Sequence, residues 1–202
     1  MDLQRYKIVF IIVVLLIALF LASPALEKIL VYPSAQSASF SELWILGPDK
    51  KAENYPYNIM NGENYTVYLG VADQLGSCAY YNVEVKFCNS TQELPNSFNH
   101  TYSSQPSLYT MNLFVPNSGD LEVPVSFSFD YSYDNVSRID FTRLYFNGLP
   151  LNLNGYSTKW DTQRNSFYGN LVFELWIFNS TTNAFQYHDR FVSLQLNMVQ
   201  PA

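Results

Sequence analysis

The sequence of 202 residues contains few residues of several types, and each shortage excludes a class of protein. It has only two cysteines, Cys78 and Cys88, and two histidines, His100 and His188. A zinc site needs three or four nitrogen, sulfur or carboxylate ligands, so these four residues would have to converge from separate positions. The sequence has no Gly-rich phosphate loop and no G-x-S-x-G motif. It therefore predicts no metal, no cofactor, no catalytic residues and no enzymatic activity.

Charged residues are also scarce, at 14% of the chain, and the formal net charge is −6. No run of like charges occurs, so the basic patch that nucleic-acid binding requires is missing. Aromatic residues reach 17%, with 16 Tyr and 15 Phe. Disordered chains have few aromatic residues and a higher charge density, so this composition favours a folded domain with a substantial core.

The N-terminus carries the longest apolar segment. Residues 8–22 have no polar side chain, and no charged residue occurs between Lys7 and Glu27. As a helix, residues 8–26 would be about 28 Å long, close to the hydrocarbon thickness of a bilayer. Arg5 and Lys7 precede the segment, which favours a cytoplasmic N-terminus. The sequence predicts a single-pass anchor in the cell membrane through residues 8–26, with the C-terminal domain outside the cell.

A secretory signal peptide is the alternative interpretation of the same residues. Signal peptides have apolar regions of about 7–15 residues, and the strictly apolar part here falls at that limit. Small residues near Ser23–Ala25 suit a signal peptidase. Both interpretations export the rest of the chain. The predicted organisation is an anchor or signal peptide at 1–28, a linker at 29–38 and an extracellular β-sandwich domain at 39–202.

Alternation of apolar and polar residues with a period of two dominates the exported part and predicts half-buried strands. The predicted strands are 39–46, 64–72, 80–88, 108–115, 121–133, 138–148, 170–178 and 185–199. The inward-facing residues include Val67, Leu69 and Val71; Tyr81, Val83, Val85 and Phe87; Val125, Phe127 and Phe129; and Val192, Leu194, Leu196 and Met198. A parity change near 189–192 predicts a β-bulge, and the change after Phe141 predicts either a bulge or a break in the strand. Pro124 should lie at a strand start or a sheet edge.

Turn signals such as Gly47-Pro48 and Asn147-Gly148 separate these strands, and residues 89–107 form a polar stretch that predicts a long surface loop. No helical periodicity occurs beyond residue 32. Seven to nine strands of this kind predict an all-β fold, namely an immunoglobulin-like two-sheet antiparallel sandwich preceded by one N-terminal transmembrane helix.

The two cysteines lie at the ends of one predicted strand. Ten extended steps from Cys78 to Cys88 span about 33 Å, whereas a disulfide needs Cα atoms about 4.4–6.8 Å apart. Export and the even number of cysteines favour pairing. The geometry is the stronger argument, and we expect no disulfide between them.

Sequons and exposed aromatic residues supply the remaining candidate sites. Predicted glycosylation sites are Asn64, Asn89, Asn99, Asn135 and Asn179, although Asn-rich loops produce some sequons by chance. Trp160 and Trp176 are the candidates for stacking on a sugar, although packing in the core or at its rim is the favoured interpretation. Asp130, Asp134 and Asn135 are explained by turn chemistry rather than by calcium binding, and His188-Asp189-Arg190 by a local ion pair.

The stretch FSELWILGPDKKAENYPYNIMNGENYTVYLGVADQ at 40–74 resembles the archaeal membrane-protein family known as domain of unknown function 1616. The resemblance depends on Leu46-Gly47-Pro48, Ala52–Pro56 and Gly62-Glu63-Asn64, and residues 173–198 also look like members of that family. It implies an archaeal cell-surface sandwich domain tethered by membrane helices. It implies no activity and no catalytic residues.

These observations predict a membrane-anchored cell-surface protein with a non-catalytic structural or interaction role. Envelope contact, adhesion and service as an accessory subunit of a membrane complex all fit, and the partner would be a protein at the cell surface. The alternative is an extracellular carbohydrate-binding module that uses exposed aromatic residues, in which case the partner would be a glycan.

Overall fold

The computed structural model describes residues 6, 7, 10–17, 39–134 and 136–199. The chain divides into two units, Met1–Ser39 and Phe40–Ala202. The described residues before Ser39 are helical and exposed. Among the described residues, no helix has the length and apolar character needed to cross a membrane. Much of the predicted anchor, at 8, 9 and 18–26, and the whole linker at 29–38 lie outside the described residues.

The second unit consists of eleven strands within its described residues. They are β1 (Phe40–Leu46), β2 (Asn58–Ile59), β3 (Tyr65–Gln74), β4 (Ala79–Asn89), β5 (Tyr109–Val115), β6 (Asp120–Tyr133), β7 (Arg138–Phe146), β8 (Leu149–Asn152), β9 (Ser157–Asp161), β10 (Ser166–Asn179) and β11 (Ala184–Met198). The all-β prediction is confirmed.

The strands form two layers. The first layer has the order β1-β3-β6-β7, and both β8 and β9 pair with β7. The second layer has the order β5-β4-β10-β11-β2. Among the described strands, only the short β11–β2 pairing is parallel. Strand β9 also pairs with the start of β10, so the two layers belong to one curled sheet.

The core lies between the layers and is rich in aromatic rings. The Phe87 ring from β4 lies 5.5 Å from that of Phe129 in β6 and 4.8 Å from that of Phe141 in β7. All three side chains are almost fully buried. Burying each such side chain contributes about 1.5–3 kcal/mol relative to exposure. The predicted inward sets of the strands at 64–72, 80–88 and 121–133 are buried or partly buried, which confirms them.

Both predicted bulges are present. Leu175 of β10 pairs with Arg190 of β11 but Trp176 pairs with Tyr187, so His188 and Asp189 are the extra residues. Asp189 has a φ of 54°, as a bulge residue in the left-handed region would. In β7, Thr142 is the extra residue between the partners of Asp130 and Tyr131. The single extra residue in β7 resets the alternation, so apolar side chains on both sides of that bulge face the core. The two extra residues in β11 leave the parity unchanged, so Phe185 and Tyr187 lie on the outer face.

Three short strands, β2, β8 and β9, were not predicted, because two to five residues are too few for alternation to be recognised. The edge prediction for Pro124 is confirmed, since it lies in the part of β6 that pairs only with β3. The loop prediction for 89–107 is confirmed except at Asn89, which ends β4 and pairs with Gly169. After Asn89, the β pairing within the described loop is the bridge between Asn96 and Thr101.

Strand β4 runs without a break from Ala79 to Asn89, as the argument about the two cysteines required. Both cysteines are free; Cys78 is exposed just before the strand, and Cys88 is buried near its end. Burial raises the pKa of the Cys88 thiol, which lowers its reactivity.

Gly70 is required by a close approach across the first layer. It lies opposite Trp44 in the β1–β3 pair, and a methyl group at Gly70 would overlap the Trp44 indole. The role of Gly70 is therefore to leave space for a neighbouring ring, and it is not a turn residue.

We expect Gly70→Ala to lower the free energy of unfolding by about 1–3 kcal/mol, because the added methyl displaces the indole. Urea denaturation measures the change. In a Trp44→Ala background the same substitution should cost little, since the overlap is gone. An equal cost in both backgrounds would contradict this explanation.

Candidate functional site

A groove with an apolar lining runs between the free edges of β1 and β11. Its walls are Leu43–Ile45 of β1, Tyr55–Tyr57 of the following loop and Val192–Gln195 of β11. Its volume is about 490 Å³, within the range of ligand sites. We call it the β1–β11 groove. No Asp, Glu, Lys or Arg lines it, whereas a recess of about 440 Å³ that shares Leu43 and Trp44 also contains Glu42 and Arg190.

Two side chains protect the free edge of β1. The Tyr55 hydroxyl donates to the Ile45 carbonyl at 2.8 Å. Arg190 Nε of β11 donates to the Ser41 carbonyl at 3.3 Å. An unpaired strand edge invites pairing with another chain, and side-chain caps of this kind limit it.

Leu43 lies between the two capped positions. In an antiparallel strand, residues two apart direct their backbone groups to the same side. Because the Ser41 and Ile45 carbonyls face the free edge, the N–H and C=O of Leu43 do so too. The groove therefore combines an apolar lining with one short stretch of available strand edge.

Ser41, Asp73 and His188 are the residue types of a Ser-His-Asp hydrolase, and they lie at one end of the sandwich. A nucleophilic serine must be hydrogen-bonded to its histidine and reachable by substrate. Ser41 is 1% exposed, and its hydroxyl forms no hydrogen bond to His188. Asp73 Oδ1 accepts the Leu75 N–H, and its buried Oδ2 forms no hydrogen bond to His188. This arrangement does not form a catalytic triad.

Tyr81 belongs to the same buried polar group. Its hydroxyl lies beside Ser41 and Asp73, and burial, reinforced by the negative charge of Asp73, raises its pKa to about 12. The Tyr81 ring lies 6.2 Å from that of His188. Burial, together with the positive charge of Arg190, lowers the pKa of His188. Both side chains are therefore held neutral in the folded protein at neutral pH.

A buried ion pair on the outer face of the second layer was not predicted. Lys86 of β4 is 3% exposed and Glu174 of β10 is fully buried. Lys86 Nζ donates to Glu174 Oε2 at 2.8 Å and to the Ser103 carbonyl at 3.0 Å, and lies 3.2 Å from Glu84 Oε2. The three donors of the ammonium group thus have three oxygen partners, and none remains for a substrate.

The ion pair holds the loop at 89–107 against the sheet. The Ser103 N–H donates to Glu174 Oε1 at 2.7 Å, so both backbone groups of Ser103 are bonded to the pair. The Tyr102 ring packs 5.1 Å from that of Trp176 and 5.9 Å from that of Tyr187. The cluster is therefore a structural clamp. Sequence alone does not reveal it, because Lys86 and Glu174 are 88 positions apart.

The two predicted tryptophans are separated in the structure. Trp160 is 39% exposed, and its ring packs edge-on against Phe167 at 5.0 Å. Trp176 is half-buried under Tyr102. Since Trp160 pairs with Phe167, nine positions before Trp176 on β10, the indoles are about 30 Å apart along the strand. They do not form one stacking platform.

The predicted glycosylation sites differ in their surroundings. Asn64 and Asn99 are exposed. Asn89 is partly buried, and its amide donates to the Ser157 carbonyl at 2.9 Å. The amide of Asn179 donates to Gln186 at 3.0 Å. Asn135 lies outside the described residues. Modification of these sites remains a prediction.

The remaining predicted groups have structural partners. Asp134 Oδ1 accepts the N–H groups of Val136, Ser137 and Arg138, and the bond from Arg138 contributes most to lowering the pKa of the Asp134 carboxyl. This is the predicted turn chemistry. The predicted ion pair within 188–190 is wrong, because Asp189 Oδ2 lies 2.7 Å from His100 Nδ1 in the loop. Within the described residues no three His, Cys, Asp or Glu side chains form a group suited to a metal.

The fold places this protein in the class of all-β domains built from two packed layers. The sequence profile described as Domain of unknown function (DUF1616) matches residues 34–163, well over half of the chain. The chain belongs to that family, as the resemblance at 40–74 indicated. No curated protein sequence matches it.

Similarity to solved structures is low. The CARDB domain of the PF1109 protein from Pyrococcus furiosus, solved in complex with di-metal ions, is 6% identical with a TM-score of 0.38, over 79% of this chain and 90% of that one. A β-glucosidase from Listeria innocua in complex with gluconolactone is 7% identical with a TM-score of 0.36, over 80% of this chain and 16% of the enzyme. Scores this low do not establish a shared fold, and the metal ions and sugar belong to those proteins.

We expect Lys86→Met to lower the free energy of unfolding by about 3–5 kcal/mol, because Glu174 keeps a buried charge without its main counter-ion. Hydrogen exchange at Ser103 should accelerate, since the loop loses its clamp. Arg138→Met is the matched control, because its ion pair with Asp140 is exposed, and it should cost less than about 1 kcal/mol. Equal effects of the two substitutions would contradict the clamp.

The depressed pKa of His188 predicts a loss of stability in acid. Below the unfolded-state pKa of about 6.5, His188 takes up a proton more readily in the unfolded chain than in the folded chain, so the free energy of unfolding decreases as the pH decreases. The stability that neutral His188 contributes is complete above that pH and is lost as the pH falls toward the folded-state pKa. Urea denaturation from about pH 5 to 8 should show a weaker dependence for His188→Gln than for the wild type. Identical curves would contradict the assignment.

Proposed function

We propose that this protein is a membrane-anchored domain of the cell surface whose immunoglobulin-like sandwich has a non-catalytic interaction role. The β1–β11 groove binds an extended, apolar segment of a partner protein. This is the role of an accessory subunit in a membrane complex. The anchor is residues 8–26, with the N-terminus in the cytoplasm and the sandwich outside the cell. The uncharged N-terminal run, the preceding basic residues and the sequons support this location.

The groove is the observation that carries the proposal. A peptide can hydrogen-bond to the short strand edge at Leu43 and place side chains between Tyr57 and Val192. Tyr57 is 44% exposed, although it lines an apolar groove. The caps from Tyr55 and Arg190 restrict pairing to about the length between them, which favours a short segment over a complete added strand.

The two buried polar clusters give indirect support for a binding role. Lys86 and Glu174 are committed to the loop at 89–107. Ser41 is buried and is not hydrogen-bonded to a base. Neither cluster offers an accessible nucleophile or a free proton donor, so binding is the activity that the geometry favours.

The test is copurification of the full chain after gentle detergent extraction. We expect a partner protein near one-to-one stoichiometry with the wild type, and a loss of at least about tenfold with Tyr57→Ala, since a buried interface Tyr often contributes more than about 1.4 kcal/mol. Leu149→Ser is the matched control, because Leu149 is 52% exposed on β8, which β3, β6 and β7 separate from β1. A wild-type chain that purifies alone, or a partner that survives Tyr57→Ala, would overturn the proposal.

A further inference from the structure

Four aromatic side chains form a row across the outer face of the second layer, and none of them was singled out by the sequence. They are Phe114 of β5, Tyr80 of β4, Phe178 of β10 and Phe185 of β11. The strand register places Tyr80 opposite Phe114 and Phe178 opposite Phe185. We call them the aromatic row. Because their strand neighbours Leu113 and Tyr81 face the core, the row faces away from it.

The row is exposed although it is strongly apolar. Phe114 is 62% exposed and Tyr80 is 39% exposed, while Phe178 and Phe185 are half-buried. The rings pack closely, with centroid distances of 6.2 Å for Tyr80–Phe178, 5.4 Å for Tyr80–Phe185 and 5.5 Å for Phe178–Phe185. Exposed aromatic clusters of this kind mark a binding surface more often than an ordinary surface.

The ring planes disfavour a sugar as the occupant. They are inclined to one another by 63°, 49° and 69° in the three pairs. Stacking on a saccharide ring needs an open, flat aromatic face, whereas these rings turn edges and faces toward one another. The surface is a compact apolar ridge.

The row lies at the end of the sandwich where the chain enters it. Phe40, the first residue of β1, pairs with Gln74, the last residue of β3. A short turn from Leu75 to Cys78 then leads into β4, so Tyr80 is at that same end. Phe40 is itself 37% exposed. Only the thirteen residues 27–39 separate this end from the apolar N-terminal segment.

The segments around the row carry no charge. Residues 75–83, 111–119 and 175–187 contain no Asp, Glu, Lys or Arg, in a chain with a net charge of −6. Removing a charged side chain from water is costly. Contact between these segments and a bilayer surface does not require it, because they contain no charged side chain.

We propose that the aromatic row contacts the interface of the bilayer that holds the anchor, with Phe114 and Tyr80 inserted at the level of the lipid headgroups. The inference rests on the proposed membrane anchoring. Aromatic side chains favour that interfacial region. The thirteen residues 27–39 reach at most about 45 Å, so this tether keeps the row close to the bilayer and a weak contact suffices.

The size of the row argues against a second protein as its occupant. At their observed exposures the four side chains offer roughly 350 Å² at most. A stable protein interface buries about 800 Å² on each partner. A bilayer contact has no such requirement when an anchor already supplies the attachment.

The experiment uses the exposed Cys78, two residues before Tyr80, and depends on the burial of Cys88 for selective labelling. An environment-sensitive fluorophore is attached to Cys78 of the full chain in phosphatidylcholine liposomes, and its quenching by nitroxide-labelled headgroups is measured. We expect the Cys78 probe to lose most of its fluorescence. A probe on Lys51→Cys in a Cys78→Ser background should retain most of it, because Lys51 follows β1 at the opposite end of the sandwich.

The combined Tyr80→Ser and Phe114→Ser substitutions should abolish quenching of the Cys78 probe. Phe98→Ser is the matched control, since Phe98 is 96% exposed in the loop at 89–107, and it should leave quenching unchanged. Equal quenching at Cys78 and Lys51, or no effect of the double substitution, would overturn the inference. A glycan occupying Asn179 on most molecules would also overturn it, because that residue adjoins Phe178.

Extraction at alkaline pH separates this inference from the proposed function. If the chain resists extraction while the Cys78 probe is unquenched, the anchor stands and the contact of the aromatic row fails. If the chain is released from the liposomes, membrane anchoring itself fails, and this inference fails with it.

Discussion

The buried ion pair between Lys86 and Glu174 determines which part of the outer sheet face is covered. It holds both backbone groups of Ser103, and this fixes the loop at 89–107 over the middle of β4 and β10. Tyr102 then covers Trp176. The next side chains along these strands, Tyr80 and Phe178, are left beyond the reach of these contacts. The ion pair therefore holds the loop over the middle of the sheet and leaves the aromatic row uncovered.

The two proposed binding surfaces arise from different consequences of strand geometry. The β1–β11 groove exists because each of these strands has an edge without a full-length neighbour, and the caps from Tyr55 and Arg190 limit what can pair there. The aromatic row exists because side chains alternate between faces, so a fully buried Tyr81 requires an outward Tyr80. The groove and the row involve different residues, so the two proposed contacts do not compete for the same surface.

Much of the fold could be predicted, because long strands with one buried face impose a period of two. The alternation at 80–88 and 121–133 identified the inward residues, and the parity changes in β7 and β11 located both bulges. The candidate site could not be predicted in the same way. The groove depends on β1 and β11 lying side by side, although Leu43 and Val192 are far apart in the chain. Trp176 appeared available for stacking because nothing local indicated that Tyr102 would cover it.

The sequence by itself determined the class of the domain, its long strands and its family, since these depend on local alternation, turn residues and the motifs at 40–74. It also determined that Cys78 and Cys88 lie at opposite ends of one strand. Only the tertiary structure decided which outward side chains are covered. Burial on an outer sheet face depends on loops and edges brought together from distant positions, as Ser103 is to Glu174, and no local pattern records that pairing.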